Sequence, residues 1–182
     1  AHASLWEGIK SAGAQAVKIR HNDADYLERQ ILLHGPGVVL VDSVYSTNGS
    51  VCPLREYADI VQRTNCVLVV DESHTLGLHG RNGEGLVASL GLSAKVHFVT
   101  ASLAKAYCAR AGLITCDRVF KTYFAGESMP AIFSSTLLPP EIAGIAATHE
   151  VIQREGWRRA RLAHVTHRVR SGLEALGYPI GE

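Results

Sequence analysis

The sequence predicts an α/β fold in which helices flank a mostly parallel central sheet. Short apolar runs alternate with stretches of helical spacing, a pattern typical of βα units. The runs are continuous rather than alternating, as expected for strands buried on both faces of such a sheet. In these sheets, ligands bind outside the carboxyl ends of the strands. The polar residues just past those ends are therefore the candidates for a site, at residues 42–46, 71–74 and 100–105.

Four stretches are predicted to be helices because their apolar side chains recur every three or four residues. In chain order they are residues 4–14, 23–34, 53–64 and 141–172. Ser4 is the expected N-cap of the first helix, with Glu7 at the capping-box position three residues later. Glycines at the Gly35-Pro36-Gly37 turn stop the second helix, and Gly156 is expected to break the last one.

Five short runs are predicted to be strands. In chain order they are residues 16–20, 38–41, 66–70, 96–99 and 113–115. The runs at 38–41 and 66–70 consist almost wholly of valine and leucine, which favours strands in the middle of a parallel sheet. Residues 16–20 are a short strand candidate.

The composition is that of a globular protein, and it argues against two kinds of partner. The chain has 182 residues, 47% of them hydrophobic, with a formal net charge of +1. This near-neutral charge gives no electrostatic reason to expect nucleic acid or an anionic membrane. No apolar run approaches the roughly 20 residues that span a bilayer.

The four cysteines and the first residues predict a cytoplasmic protein. The cysteines lie far apart without a C-x-x-C pair, which is typical of reduced, buried thiols. The sequence starts at Ala1 with neither an initiator methionine nor the layout of a signal peptide. We therefore expect it to be the interior of a longer chain.

A carboxylate closes one of the predicted buried strands. Asp71 follows four apolar residues, where a charge is costly unless it meets a cationic partner. The protonated nitrogen of a pyridine ring is one such partner, and a carboxylate there keeps the ring able to accept electrons from a substrate carbanion. Taken alone, an aspartate in this position is more often a helix cap or the partner of a structural arginine.

A lysine follows the next strand along the chain. Lys105 has small and apolar neighbours, which would desolvate it and favour the neutral amine that forms a Schiff base. Ser102, three residues earlier, could donate its hydroxyl to a phosphate group. Taken alone, Lys105 is better interpreted as a surface lysine at a helix start.

Two nucleotide-binding patterns are present only in part. Residues 71–74 read Asp-Glu-Ser-His, the form of a helicase DExH box, but this chain contains no G-x-x-x-x-G-K-[ST] phosphate loop. The segment from Gly83 to Ala88 satisfies G-x-G-x-x-[GA]. It does not follow a strand directly and lacks the acidic ribose ligand, so we interpret its glycines as turn residues.

Together, several segments resemble the α-oxoamine synthases, fold-type-I pyridoxal-phosphate enzymes that condense an acyl-CoA with an amino acid. The segments, in the order and spacing of that family, are residues 2–4, 42–49, 70–74, 102–106 and 134–139. Ala104 replaces the family's usual glycine before the lysine, and Ala111-Gly112 replaces a Gly-Gly pair. Within the family, residues 34–37, 42–47, 96–105 and 130–139 resemble the quorum-sensing α-hydroxyketone autoinducer synthases, and these two departures support that branch.

The resemblance implies three catalytic residues. Lys105 would hold the pyridoxal phosphate as an imine and later act as the proton-transfer base. Asp71 would pair with the pyridinium nitrogen, and His74 would lie near the phenolic oxygen of the ring.

The resemblance also implies further cofactor-binding residues. His2 would stack on the ring, and Ser46 would lie near its phenolic oxygen. Ser102 would bind the phosphate, and Thr136 would do so from the partner subunit. Asp42 stands where relatives often carry glutamate, and no role carries over to it.

For the whole protein, the resemblance implies two domains and a homodimer with a shared active site. Residues 1–145 would be the large, cofactor-binding domain, incomplete at its N-terminus, and residues 146–182 a long helix leading into a truncated small domain. The substrates would be a medium-chain acyl-CoA and an amino donor such as S-adenosylmethionine or 2-aminobutyrate.

Three alternatives remain open at this point. The first is another fold-type-I enzyme, an aminotransferase or a cysteine-desulfurase-like lyase. The second is an inactive fragment that binds cofactor or only dimerises. The third is a nucleotide-dependent enzyme built around the Asp-Glu-Ser-His box.

Overall fold

The computed structural model describes residues 1–180, which form eight helices and four strands. The helices are α1 (Ala3–Ser11), α2 (Ala24–His34), α3 (Leu54–Arg63), α4 (Leu86–Ser89), α5 (Arg118–Glu127), α6 (Met129–Phe133), α7 (Pro139–Arg154) and α8 (Trp157–Ala175). The strands are β1 (Val38–Asp42), β2 (Val67–Asp71), β3 (Phe98–Ser102) and β4 (Gly112–Thr115). Within residues 1–180, no helix is both long and apolar enough to cross a membrane.

The four strands form one sheet in the order β1-β2-β3-β4. The first three strands run parallel, and β4 is antiparallel to β3. In the register, Asp42 is paired with Asp71, and Asp71 with Thr100. The carboxyl ends of β1, β2 and β3 therefore lie side by side, which confirms the predicted mostly parallel sheet.

The core lies between the sheet and the apolar face of α3. Leu54, Tyr57 and Val61 on this helix are at most 1% exposed, as the helical spacing of these residues predicts. They pack with buried residues of β1 and β2, among them Val41 and Leu68. Burial of each such side chain contributes about 1.5–3 kcal/mol, so the strands beneath the carboxyl edge are firmly held.

Two predictions about the first 20 residues are wrong. Helix α1 is capped by His2 rather than Ser4, because His2 Nδ1 accepts the Ser4 N–H at 3.2 Å. Residues 16–20 form no strand, since no neighbouring strand offers them a hydrogen-bonding partner among the described residues. Only Ile19 of that segment packs against the core.

The long C-terminal helical region is broken where the sequence predicts. Helix α7 ends at Arg154, and α8 begins at Trp157 with Gly156 as its N-cap. The Arg159 guanidinium donates hydrogen bonds to the carbonyl groups of Ile152 and Arg81, which ties the break to the loop before α4. Helix α7 runs continuously past position 145, and the division into two domains there stays a prediction.

Candidate functional site

A cavity of about 1120 Å³ opens at the carboxyl edge of the sheet. Its wall includes five of the seven residues predicted to form the site: His2, Asp71, His74, Ser102 and Lys105. Asp71 ends β2, Ser102 ends β3, and Lys105 follows in the segment before β4. The carboxylate and the amine thus line the same cavity, on the same edge of the sheet.

Asp71 is held by donors on both oxygens. Its Oδ1 accepts the Ser73 N–H at 3.0 Å, and its Oδ2 accepts the Thr100 hydroxyl at 2.8 Å. A carboxylate has about four lone-pair positions, so Asp71 keeps the capacity to accept a further donor from the cavity. Thr100 lies in a polar stretch that the sequence indicates, but its contact with Asp71 depends on the register of β2 and β3.

The backbone of the Lys105 segment is folded into a tight turn. The Cys108 N–H donates to the Lys105 carbonyl at 3.1 Å, and the Ala109 N–H donates to the Leu103 carbonyl at 2.9 Å. Leu103 and Tyr107 are 6% and 9% exposed, whereas Lys105 is exposed. The expectation that its neighbours desolvate the lysine is therefore wrong, because Ala104 beside it is exposed as well and the buried side chains of Leu103 and Tyr107 do not cover the amine.

Helix α7 and a glycine fix this turn from behind. The Tyr107 hydroxyl and His149 Nδ1 are 2.9 Å apart, and the two rings are stacked at 15°. Gly77 has φ +85°, and a Cβ there would lie 2.7 Å from the Ala106 Cβ. The segment that presents Lys105 is thus packed against both α7 and the loop after β2.

The two histidines differ in their surroundings. The pKa of His74 is lowered from its ordinary value of 6.5, first by burial and then by the positive charge of Lys105. His74 is therefore a neutral imidazole at neutral pH. Because His2 Nδ1 accepts the Ser4 N–H, the proton of its neutral ring is assigned to Nε2.

Ser102 is also arranged as a donor. Its Oγ accepts the Ala104 N–H at 3.3 Å, which leaves its hydroxyl proton available for another group. Its own N–H donates to Ser73 Oγ at 2.7 Å, linking the ends of β2 and β3.

Ser46 and Thr136 do not line the cavity. Ser46 is exposed in the turn after β1, and Thr136 is exposed between α6 and α7. Their cofactor-binding roles stay predictions.

One wall of the cavity was missed by sequence reasoning. Helix α5 contributes Phe120, Lys121 and Phe124 to the lining. The available signal was Asp117, whose side chain caps α5 by accepting the Phe120 N–H at 2.6 Å. An N-cap residue before aromatic side chains at helical spacing predicts such a helix.

A buried polar network supports the loop that carries His74. Glu72, 2% exposed, accepts the Val87 N–H at 2.8 Å and the Thr75 hydroxyl at 3.1 Å. Thr75 Oγ1 lies 2.8 Å from the hydroxyl of Ser43, which donates to the Asp71 carbonyl at 3.0 Å. Burial raises the pKa of Glu72. The network joins the carboxyl ends of β1 and β2 to α4.

The glycines at positions 83 and 85 are turn residues, as predicted. Their φ values are +77° and +93°, in the region that favours glycine. They belong to the turn that leads into α4.

A sheet with an amine, a carboxylate and two imidazoles gathered at its carboxyl edge defines an α/β protein with a ligand site at that edge. A family model for aminotransferases of class I and II matches residues 1–182. The chain belongs to this family.

The similar proteins include α-oxoamine synthases. The CAI-1 autoinducer synthase of Vibrio campbellii is 47% identical over 180 residues, which are 99% of this chain and 46% of that protein. A putative 8-amino-7-oxononanoate synthase of Halalkalibacterium halodurans is 32% identical over 181 residues, 98% of this chain and 46% of that protein. The resemblance stated from the motifs is confirmed.

Solved structures agree with this fold. The serine palmitoyltransferase of Sphingomonas wittichii superposes with a TM-score of 0.92 at 26% identity, covering 98% of this chain and 46% of that one. A structure of SPT with a PLP internal aldimine gives a TM-score of 0.91 at 26% identity, with the same two coverages of 98% and 46%. The fold-type-I transferase fold is confirmed, and the chain spans about half the length of these relatives.

Proposed function

We propose that this chain carries the cofactor site of a pyridoxal-phosphate-dependent acyltransferase of the α-oxoamine synthase type. The family, the CAI-1 autoinducer synthase relative and the SPT structure with PLP all support an enzyme with this cofactor. The observation that carries the proposal is the position of Asp71 and Lys105 in the wall of one cavity.

The donor set of the cavity fits pyridoxal phosphate. Asp71 retains acceptor capacity for a protonated ring nitrogen, and Lys105 presents a primary amine for the aldehyde. His2 would stack on the ring, His74 would face its phenolic oxygen, and Ser102 has a free hydroxyl proton for the phosphate. Ser46 and Thr136, the latter from a partner subunit, complete the proposed set.

Three residues of the cavity, Asp71, Lys105 and His74, would have different roles in the reaction. When bound, pyridoxal phosphate supplies an aldehyde that joins amines and a ring that accepts electrons. Asp71 would keep the ring nitrogen protonated, because a carboxylate beside that nitrogen would favour its charged form. Lys105 lines the cavity; its amine would hold the cofactor aldehyde and would serve as the general base that moves a proton at the substrate carbon. His74, neutral at neutral pH, offers a hydrogen bond without adding charge.

The proposed reaction joins an acyl-CoA to an amino donor and gives an α-aminoketone. The 47% identity to a CAI-1 autoinducer synthase supports an autoinducer-type product made from an amino acid or S-adenosylmethionine. We include in the proposal a homodimer with a shared active site. We also include a cytoplasmic location, supported by the four cysteines, all within the described residues and all free.

Borohydride trapping in the full-length protein tests the proposal. Lys105→Ala should abolish the visible imine absorbance, and peptide mapping of the reduced wild-type protein should find the cofactor on Lys105. Lys121→Ala is the matched control, because Lys121 also lines the cavity; it should keep the absorbance. A reducible imine that survives Lys105→Ala would overturn the assignment.

An aminotransferase is the second candidate, and the family description favours it. A transaminase releases a keto acid and needs no thioester. Product analysis with and without acyl-CoA separates the two reactions, since only the acyltransferase depends on the thioester.

A further inference from the structure

A second carboxylate lies beside Asp71, and no role has been assigned to it. Asp42 ends β1, is 4% exposed, and is paired with Asp71 in the register of the two strands. Its Oδ2 accepts the backbone N–H of His2 at 2.9 Å. A buried carboxylate is thus directed at the segment that begins α1.

This contact is a main tie between α1 and the sheet. No residue of α1 is buried, so apolar packing holds the helix weakly. His2 is its N-cap, and the Asp42 carboxylate lies at the helix N-terminus, where the partial positive charge favours an anion. Hydrogen bonds to a charged acceptor are also stronger than neutral ones.

The His2 side chain is fixed by the same arrangement. Its Nδ1 accepts the Ser4 N–H at 3.2 Å and lies 2.8 Å from Ser4 Oγ. The ring orientation therefore follows the first turn of α1, and the position of that turn follows the backbone of His2. Asp42 fixes this backbone through the His2 N–H.

We propose that Asp42 is a positioning residue that holds the His2 imidazole in the wall of the cofactor cavity through its hydrogen bond to the His2 backbone. This proposal rests on the proposed function, since the imidazole has a role only if pyridoxal phosphate binds there. Asp71 and Asp42 lie at neighbouring strand ends and have different roles. Asp71 would bind the cofactor ring directly, and Asp42 would position His2, the residue that would stack on that ring.

Hydrogen exchange in the cofactor-free, full-length protein tests the contact itself. In Asp42→Ala, amides in peptides that cover residues 1–11 should exchange about tenfold faster, the loss expected for a hydrogen bond to a charged acceptor. Asp42→Asn keeps an acceptor oxygen and should lose much less. Peptides from β2 are the folding control and should be unchanged in both variants. Unchanged exchange at residues 1–11 in Asp42→Ala would overturn the proposal.

A double-variant cycle tests the positioning role. Asp42→Ala should raise the dissociation constant for pyridoxal phosphate about tenfold when His2 is present, and should have little further effect in a His2→Ala background. Equal losses in the two backgrounds would show that Asp42 acts independently of the imidazole, which contradicts the proposal.

Borohydride trapping of the wild-type protein and the double-variant cycle together separate this proposal from the proposed function. If the wild-type protein forms no borohydride-reducible imine, the proposed function fails and this role fails with it. If the wild-type protein binds the cofactor normally and Asp42→Ala does not weaken the binding, only the positioning role is overturned.

Discussion

Replacing Gly85 with alanine is expected to destabilise the protein strongly, because the new Cβ would collide with a buried carboxylate. Gly85 has φ +93° and ψ 174°, and a Cβ there would lie 2.1 Å from Glu72 Oε2. Glu72 is 2% exposed, and its carboxylate accepts hydrogen bonds from the Val87 N–H and the Thr75 hydroxyl, which a displacement would break. The substitution therefore carries two separate costs.

The magnitudes of these costs can be set from the contacts. An alanine in this extended, positive-φ region costs about 1–3 kcal/mol. Displacing Glu72 from the Val87 N–H removes a hydrogen bond to a charged group, worth about 1.5–3 kcal/mol. We expect a total loss of about 2.5–6 kcal/mol in the free energy of unfolding.

Gly35 provides the matched control for the conformational cost. It has φ 85° and ψ 175°, nearly the backbone conformation of Gly85, and a Cβ there would meet nothing within 4 Å. Gly35→Ala should therefore lose only the first contribution, about 1–3 kcal/mol. The assay is urea unfolding of the full-length, cofactor-free protein, so that cofactor binding adds no stability. Equal losses for the two variants would refute the reasoning about Glu72.

Two further predictions concern buried polar groups. Burial raises the pKa of Glu72 above its ordinary value of 4.5, so the folded state binds this proton more tightly than the unfolded state. The free energy of unfolding of the wild type, relative to that of Glu72→Gln, should fall as the pH rises above 4.5 through the folded-state pKa. Urea unfolding of both proteins at a series of pH values measures this difference. A difference that increases with pH would contradict the prediction. Tyr107→Phe removes the hydrogen bond to His149 and should cost about 1 kcal/mol in urea unfolding. Tyr123→Phe, at a 62% exposed position, should cost almost nothing; equal losses would show that the Tyr107 bond does not matter.

The central strands could be predicted from sequence because their signal is local. Each of β1 and β2 is an unbroken apolar run, and each ends in a carboxylate at the point where the run stops. Since parallel strands place their carboxyl ends at one edge, the sequence also predicted where Asp71 and Lys105 would meet. Residues 16–20 carry a weaker local signal, and they form no strand because, within residues 1–180, no strand lies beside them as a partner.

The contacts between distant residues could not be predicted in this way. The Asp42–His2 bond spans 40 positions, and the Asp71–Thr100 bond spans 29. Both depend on which strands are neighbours and on their register, which no single stretch of sequence records. The N-cap of α1 is His2 and not Ser4, and this too depends on a distant residue, because Asp42 at the end of β1 accepts the His2 backbone N–H.

The two adjacent carboxylates of the Asp-Glu-Ser-His segment, Asp71 and Glu72, lie in different environments. This difference argues against the nucleotide-dependent alternative. Side chains alternate between the two faces along an extended chain, and Asp71 lines the cavity while Glu72 is buried on the other side. A DExH-type mechanism needs the glutamate free to act at the bound nucleotide. Glu72 instead accepts the Val87 N–H and the Thr75 hydroxyl beneath α4. Releasing it would break the support of the His74 loop, so the segment is suited to presenting Asp71 and His74 and not to nucleotide chemistry.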